Sequence, residues 1–224
     1  MPLETPVPFA HHAAIFSASQ IEELSAVFAD VLAGAGGKRY TGLGLKQLLA
    51  RSALQPLFAL MEDLMEVPHA MRAMAFRKTV AANWFVPAHQ DRSIPVPFNK
   101  CPPNFSNLTR KRGQAGEEDH YQAEAPLEFL NQMRNFRIFI DPCTESDGPM
   151  EVLAETESMG RLTKAEIAEV EKSRVWKPLL GHAGDVAIFC PLTVHRSARA
   201  ARPTGRRVIQ VECAPGGLAE AMAL

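Results

Sequence analysis

Asn83-Trp84-Phe85-Val86-Pro87-Ala88-His89-Gln90-Asp91 is a short run rich in β-formers that ends on an imidazole and a carboxylate two positions apart. Ala75-Phe76-Arg77-Lys78-Thr79-Val80, just upstream, has the same character, so from about Met74 the chain reads as strands. Before Met74 the pattern differs. Ile21, Leu24, Val27, Phe28, Val31 and Leu32 recur at three- and four-residue steps behind Ser19. This predicts a helix capped by Ser19, with Glu22 and Glu23 in its first turn and Gly34-Ala35-Gly36-Gly37 as its stop. The segments from Gly44 to Ala50 and from Leu54 to Glu66 repeat the helical spacing until Pro68. Residues 1–73 are therefore expected to form a mainly helical layer.

Beyond Asp91 the chain first loses periodicity. Residues 93–126 hold prolines at 95, 97, 102, 103 and 126, the basic run Arg110-Lys111-Arg112-Gly113 and the acidic run Glu117-Glu118-Asp119. A loop of this length inside a domain is usually functional, and the expectation is a mobile lid. Strands are then expected at Asn135 to Asp141 and Met150 to Leu153, on either side of a turn at Glu145-Ser146-Asp147-Gly148. A short helix follows at Lys164 to Lys172, and further strands at Arg174 to Leu179, Asp185 to Cys190 and Arg207 to Cys213. Helices followed by many short strands with long connections describe an α+β chain built on a jelly roll or similar double-sheet barrel. The expected organisation is one domain over residues 1–224, with the jelly-roll core at 74–214 and the lid at 93–126.

Composition narrows the function. With 46% hydrophobic and 22% charged residues and a formal net charge of −1, the chain has no global field for nucleic acid or an anionic membrane. No apolar run approaches the roughly 18 residues of a membrane helix. Met1 to Ala10 carries Glu4 and three prolines where a secretory leader would be basic and then apolar. Cysteines 101, 143, 190 and 213 lack CxxC spacing and read as free thiols, so a cytoplasmic, soluble protein is expected.

Alternate residues of a strand share a face, so His89 and Asp91 can reach one ion. Taken alone, the triplet also reads as a solvated surface pair. His195, at the end of the run Val186 to Val194, supplies a second imidazole, although a lone histidine there also reads as a core residue bonded to backbone. Two imidazoles and one carboxylate make the facial triad of a mononuclear non-haem Fe(II) site, with open positions for co-substrate and oxygen. Ser197 follows, and eleven residues past His195 come Arg206 and Arg207 at the start of a strand. A guanidinium there suits the distal carboxylate of 2-oxoglutarate, and side-chain alternation lets only one of the two arginines face inward.

Four pieces of the chain, taken in order, resemble the phytanoyl-CoA dioxygenase-like branch of the Fe(II)/2-oxoglutarate oxygenases. They are residues 83–91, Arg137-Ile138-Phe139-Ile140-Asp141 with Asp147-Gly148-Pro149-Met150-Glu151-Val152-Leu153, Gly184-Asp185-Val186, and His195-Arg196-Ser197 with Arg206-Arg207. The resemblance spans about residues 74–214. It implies a double-stranded β-helix, iron on His89, Asp91 and His195, and 2-oxoglutarate on Arg206 with help from Ser197. It further implies an enzyme that takes O2 and a small organic substrate and releases succinate and CO2. Two departures stand out. Ala88 replaces the tryptophan that many relatives place before the first histidine. Leu153-Ala154-Glu155-Thr156-Glu157 replaces the family's Leu-Pro-Gly-Ser-His stretch, which is expected to border the mouth and so to bear on substrate identity. Asp91 matches hydroxylating members, because halogenating members carry a small residue at that position.

Arg137, Lys78, Asn83 and Trp84 are candidate pocket residues for substrate, although Arg137 also reads as the outward face of an edge strand and Lys78 and Asn83 as solvated positions. His11, His12, His69, His120 and His182 lack a partner pattern, with His120 and Tyr121 at the end of the expected lid. Two other classes compete: a non-enzymatic jelly-roll protein that binds metal or ligand, and a cupin-like Zn2+ hydrolase or isomerase. Neither needs a carboxylate clamp of the Arg206 and Ser197 kind.

Overall fold

A computed structural model describes residues 9–31, 36–96, 100–112 and 119–221. Leu32, Gly34, Ala35, Pro97, Gly113, Glu117 and Glu118 of the readings above lie outside the described residues. In chain order the strands are β1 (Ala10–His12), β2 (Gly37–Tyr40), β3 (Pro68–Lys78), β4 (Val86–His89), β5 (Ser93–Val96), β6 (Ser106–Lys111) and β7 (His120–Glu124). They continue as β8 (Arg134–Phe139), β9 (Met150–Val152), β10 (Lys177–Pro178), β11 (Val186–Phe189), β12 (His195–Ser197) and β13 (Arg206–Pro215). The helices are α1 (Ala18–Ser25), α2 (Gly42–Leu49), α3 (Gln55–Leu64), α4 (Leu127–Gln132), α5 (Lys164–Ser173) and α6 (Gly216–Ala221).

Three antiparallel sheets result: a six-stranded sheet in the order β1-β11-β8-β13-β3-β2, a four-stranded sheet β10-β9-β12-β4, and a three-stranded sheet β5-β7-β6. The long strands β3 and β13 pair at the centre of the first sheet and set its two faces. On one face Ala73, Ala75, Phe136, Ile138, Ile209 and Val211 pack with Leu24, Leu57 and Met61 of the helices α1 and α3. Burying a leucine there contributes about 1.5–3 kcal/mol. On the other face Phe139, Phe189 and Val208 meet Met150 and Val152 of the second sheet, with Leu179 just after β10, and close one end of the sandwich. The same face of β3, β8 and β13 also carries the polar residues Arg72, Lys78, Arg137, Arg206, Gln210 and Glu212, which line the site together with Met74 and Phe76.

Several elements differ from the sequence expectation. The first 73 residues are not simply helical, because β1 and β2 form the two edges of the large sheet and β3 begins at Pro68. Those edge strands are too short and too polar to show alternation. Ser17, not Ser19, caps α1: its Oγ accepts from the Gln20 backbone N–H at 3.3 Å while Gln20 Oε1 accepts from the Ser17 N–H at 2.8 Å. That earlier start leaves no acidic residue in the first turn. Asn83 to Phe85 is irregular, and β4 starts only at Val86. Of Arg174 to Leu179, only Lys177 and Pro178 pair as a strand.

Residues 93–126 are not an irregular loop. They carry β5, β7 and β6, anchored by Ile94, Ala123 and Phe105, whose ring meets that of Phe129 with centroids 5.8 Å apart. β6 is exposed along nearly its whole length, so no apolar alternation marks it, and backbone pairing to β7 holds it. Pro95 is tolerated because β5 is an edge strand.

Candidate active site

His89 and His195 are Cα partners where β4 and β12 pair, and Asp91 follows β4 by two residues. The imidazole centroids lie 4.2 Å apart. Asp91 Oδ1 is 3.6 Å from His89 Nε2, and Oδ2 is 3.6 Å from His195 Nε2. Each Nδ1 bonds a nearby carbonyl, Pro87 at 2.8 Å for His89 and Thr193 at 2.9 Å for His195. A protonated Nδ1 leaves the Nε2 lone pair free for a ligand, which is how histidines are set for metal binding. Asn135 Nδ2 donates to Asp91 Oδ2 at 3.1 Å and fixes the carboxylate. The three donor atoms lie within 4.8 Å of one another and form the one such His/Cys/Asp/Glu group found among the described residues. Two neutral imidazoles and a carboxylate, with further space in front of them, fit a divalent iron site.

Electrostatics favour an ionised Asp91 and a neutral His195, whereas at His89 burial is outweighed by the Asp91 carboxylate, which holds the imidazole up. Burial disfavours the Asp91 carboxylate, but the imidazoles of His195 and His89 and the Arg72 guanidinium outweigh it and hold the carboxyl well below its usual range. Burial pushes His195 down, favouring the neutral form, although Asp91 opposes it.

Buried neighbours brace the triad. Gln90 Nε2 donates to Gly160 O and Leu192 O, both at 2.8 Å, and its Oε1 accepts from the Leu162 backbone N–H at 2.9 Å. Thr156 Oγ1 accepts from the Val194 N–H at 2.8 Å, and Thr193 Oγ1 donates to Glu157 at 3.2 Å. The stretch Leu153 to Glu157 thus buttresses the strand that carries His195. It contributes no side chain to the cavity wall, contrary to the expectation that it borders the mouth.

A cavity of about 370 Å³ opens in front of the triad. At its far end Gly148 O accepts from Lys78 Nζ at 3.1 Å, from Ser197 Oγ at 3.2 Å and from Arg206 Nη2 at 3.1 Å. Gly148 sits at φ +61°, and a Cβ there would fall 2.7 Å from Ala198 O and 2.9 Å from Lys78 Nζ, so the close approach requires glycine. Ser197 Oγ also accepts from Lys78 Nζ at 2.8 Å, which makes it a partner of protein groups. Arg206 is 3% exposed, and its Nε and Nη1 have no hydrogen-bond partner. A buried guanidinium with two unpaired donors fits an anionic ligand carboxylate.

Arg207 turns to the opposite face and forms a two-pronged pair with Asp141, Nε to Oδ2 at 2.8 Å and Nη2 to Oδ1 at 2.7 Å. Arg137 is buried, lines the cavity and donates to Gln210 Oε1 at 3.1 Å, a neutral partner. Burial and the Arg206 guanidinium push Arg137 down, and burial with Arg206 and Arg137 pushes Lys78 down to about 8. Trp84 lines the cavity with Lys78 Nζ 5.5 Å from its ring centroid.

Asn83 does not line the cavity. Its side chain clamps Ala200, accepting from the Ala200 N–H at 2.7 Å and donating to the Ala200 carbonyl at 2.9 Å, and this bond pair keeps Asn83 to Phe85 out of a strand. His11 is not partnerless either, since it meets Asp185 Oδ2 at 3.0 Å. The sequence reading missed Gln90, Asn135, and the ion pair of Arg72 and Glu212, which also lines the cavity.

An antiparallel double-sheet fold with two imidazoles and a carboxylate lining its cavity defines a jelly-roll protein of the mononuclear metal type. Residues 21–208 match the phytanoyl-CoA dioxygenase (PhyH) family, and the chain belongs to that family. No curated protein matches it. Among solved structures, AviO1 from Streptomyces viridochromogenes Tue57 is 20% identical over 93% of this chain and 90% of its own, with a TM-score of 0.57. HygX from Streptomyces hygroscopicus, solved with nickel and 2-oxoglutarate, is 15% identical over 93% and 83% of the two chains, with a TM-score of 0.61. HygX has also been solved with hygromycin B bound. The 2-oxoglutarate-dependent epimerase SnoN of nogalamycin biosynthesis is 14% identical over 92% and 77%, with a TM-score of 0.60. These likenesses extend the shared fold over nearly the whole chain.

Proposed function

We propose that this protein is an Fe(II)- and 2-oxoglutarate-dependent oxygenase that hydroxylates a small organic molecule, the chain working as a single catalytic domain. The observation that carries the reading is Arg206: a buried guanidinium with two unpaired donors, in the same cavity as the His89, Asp91 and His195 triad. A metal-binding jelly roll that only hydrolyses or isomerises has no use for such a group.

In this reading His89 Nε2, Asp91 and His195 Nε2 hold the metal, and Asn135 keeps the Asp91 oxygens turned toward it. The bound iron would supply the redox chemistry that couples O2 and 2-oxoglutarate to substrate oxidation, with succinate and CO2 as co-products. Arg206 receives the distal carboxylate, and Lys78 and Ser197 hold the Gly148 turn that positions Arg206. Arg137, between Arg206 and the triad, adds positive charge along the path of a dianionic co-substrate. The apolar closure by Phe139, Phe189 and Val208 keeps bulk water from that end.

Hydroxylation is preferred to epimerisation, the activity named for SnoN, on the family resemblance, and to halogenation because Asp91 fills the position where a halide needs room. Addition of Fe(II) without oxygen, with and without 2-oxoglutarate, tests the assignment. A weak visible charge-transfer band that needs both is expected. A spectrum indifferent to 2-oxoglutarate would refute it.

A further inference from the structure

The cavity has a second end. Past Asp91, away from Arg206, its wall is made by Arg72 and Glu212, Cα partners on β3 and β13, and by Arg92, Ser93 and Gln122. Glu212 also pairs in register with Asn135, whose side chain holds Asp91, so this wall adjoins the metal-binding carboxylate. Arg72 is 7% and Glu212 3% exposed, and Arg72 Nη2 meets Glu212 Oε1 at 2.7 Å.

The fold does not need an ion pair there. Volume-matched apolar residues in place of a buried pair are often neutral or stabilising, because two charges must otherwise be taken out of water. The neighbouring residues Ala73 and Val211, on the opposite face of the same strands, are fully buried and apolar. The pair is also unsaturated, since Arg72 Nε is buried without a hydrogen-bond partner. Arg72 has Glu212 and Arg92 Nη2 has Glu124 at 3.1 Å, while Arg39, which also lines the cavity, acts on Glu212 as a further cation. The Arg72 and Glu212 pair therefore suits a group that can accept from a guanidinium and donate to a carboxylate at once. A hydroxyl does both, a ketone or ether only accepts, and an alkyl or aryl surface does neither.

We propose that this end of the cavity is a substrate subsite for a hydroxyl-bearing molecule, one hydroxyl of which bonds the Arg72 and Glu212 pair beside the metal position. This rests on the oxygenase reading and narrows its substrate to the polyol, cyclitol or sugar class, away from fatty acyl chains.

The test uses the whole protein with redox-inert Mn(II) and 2-oxoglutarate, and saturation-transfer NMR with a matched series: cyclohexane-1,2-diol, cyclohexanol, cyclohexanone and myo-inositol. The wild type is expected to bind the hydroxylated probes at least tenfold more tightly than cyclohexanone, which cannot donate. The neutral double variant Arg72→Met/Glu212→Leu should lose that preference, and Glu212→Gln, which keeps the shape, should weaken the diol by at least threefold. Wild type that prefers cyclohexanone, that binds no hydroxylated probe, or whose preference survives in Glu212→Gln would overturn the subsite. Failure of the wild type to bind 2-oxoglutarate in a parallel titration would instead overturn the oxygenase reading beneath it.

Discussion

Removing the Arg206 guanidinium separates an oxygenase from every other reading of this cavity. With Arg206 truncated to alanine, a distal carboxylate of 2-oxoglutarate would be desolvated with no partner for its charge. Loss of one member of such a buried charge pair costs about 2–5 kcal/mol, or from about 30-fold to a few thousand-fold in affinity at roughly 1.4 kcal/mol per decade. Arg206→Lys keeps the charge but not the planar fork and is expected between the two. Arg207 faces away and spends its fork on Asp141, so Arg207→Ala should weaken 2-oxoglutarate by less than about threefold, under roughly 0.7 kcal/mol. Stability provides an independent sign. In the protein without ligand, Arg206 is a buried cation beside Lys78 and Arg137 with only carbonyl partners, so Arg206→Met should melt no lower than wild type while losing 2-oxoglutarate. Affinity is read by calorimetric titration under Mn(II), and melting by circular dichroism. Unchanged affinity in Arg206→Ala would refute the clamp. Loss in Arg207→Ala alone would mean that the other arginine carries it.

Four further outcomes follow from the same geometry. His89→Ala, Asp91→Ala and His195→Ala should each lower Fe(II) affinity at least about tenfold, because each removes one of three protein donors; competition against a metal chelator measures it. Asn135→Ala should weaken metal by about tenfold through the freed Asp91 carboxylate, with the three ligands intact; metal binding equal to wild type would sink that positioning role. Lys78 lies at about 8 against its ordinary 10.5, so the fold penalises its charged form. Between those values the unfolded chain binds more protons, and relative to Lys78→Met the wild type should gain stability as pH rises from about 8 toward 10.5. Urea midpoints at pH 7.5 and 9.5 report it, and a flat difference would contradict it. Gly148→Ala, whose new Cβ meets Ala198 O and Lys78 Nζ, should lower 2-oxoglutarate affinity more than metal affinity, as paired titrations would reveal.

The helices and the main strands were legible because each has one apolar stripe against the core. α3 and β8 are such cases, and their expected and observed spans agree within two residues. What was not legible has a common cause. β1, β2 and β6 are held by backbone pairing at sheet edges, so their side chains carry no period. Residues 93–126 looked like a loop on composition alone, since proline is admissible at an edge strand and three buried residues suffice to anchor the small sheet. Asn83 was placed in the pocket because it precedes His89 in sequence, whereas its short amide reaches the Ala200 backbone.

The site itself was half visible, and β13 explains why. Its even positions Arg206, Gln210 and Glu212 form a polar stripe interrupted by Val208, and its odd positions Ile209, Val211 and Cys213 an apolar one. In an antiparallel sheet a polar stripe ordinarily faces water, which gives no reason to single out Glu212 or, on the neighbouring strand, Arg72. In this fold the helices cover the apolar face and the second sheet covers the polar one, so every member of the polar stripe is buried. A buried polar stripe must be satisfied by protein or by ligand. Glu212 and Gln210 find Arg72 and Arg137, while Arg206 keeps two donors without a partner and Arg72 keeps one. Arg206 and Arg72 stand at opposite ends of this stripe, Arg206 level with Lys78 and Arg72 level with Glu212, whose other partner Asn135 holds Asp91. In the proposed reading the co-substrate end at Arg206 and the substrate end at Arg72 are thereby kept apart along one strand, so that both ligands can reach one ion without competing for the same wall.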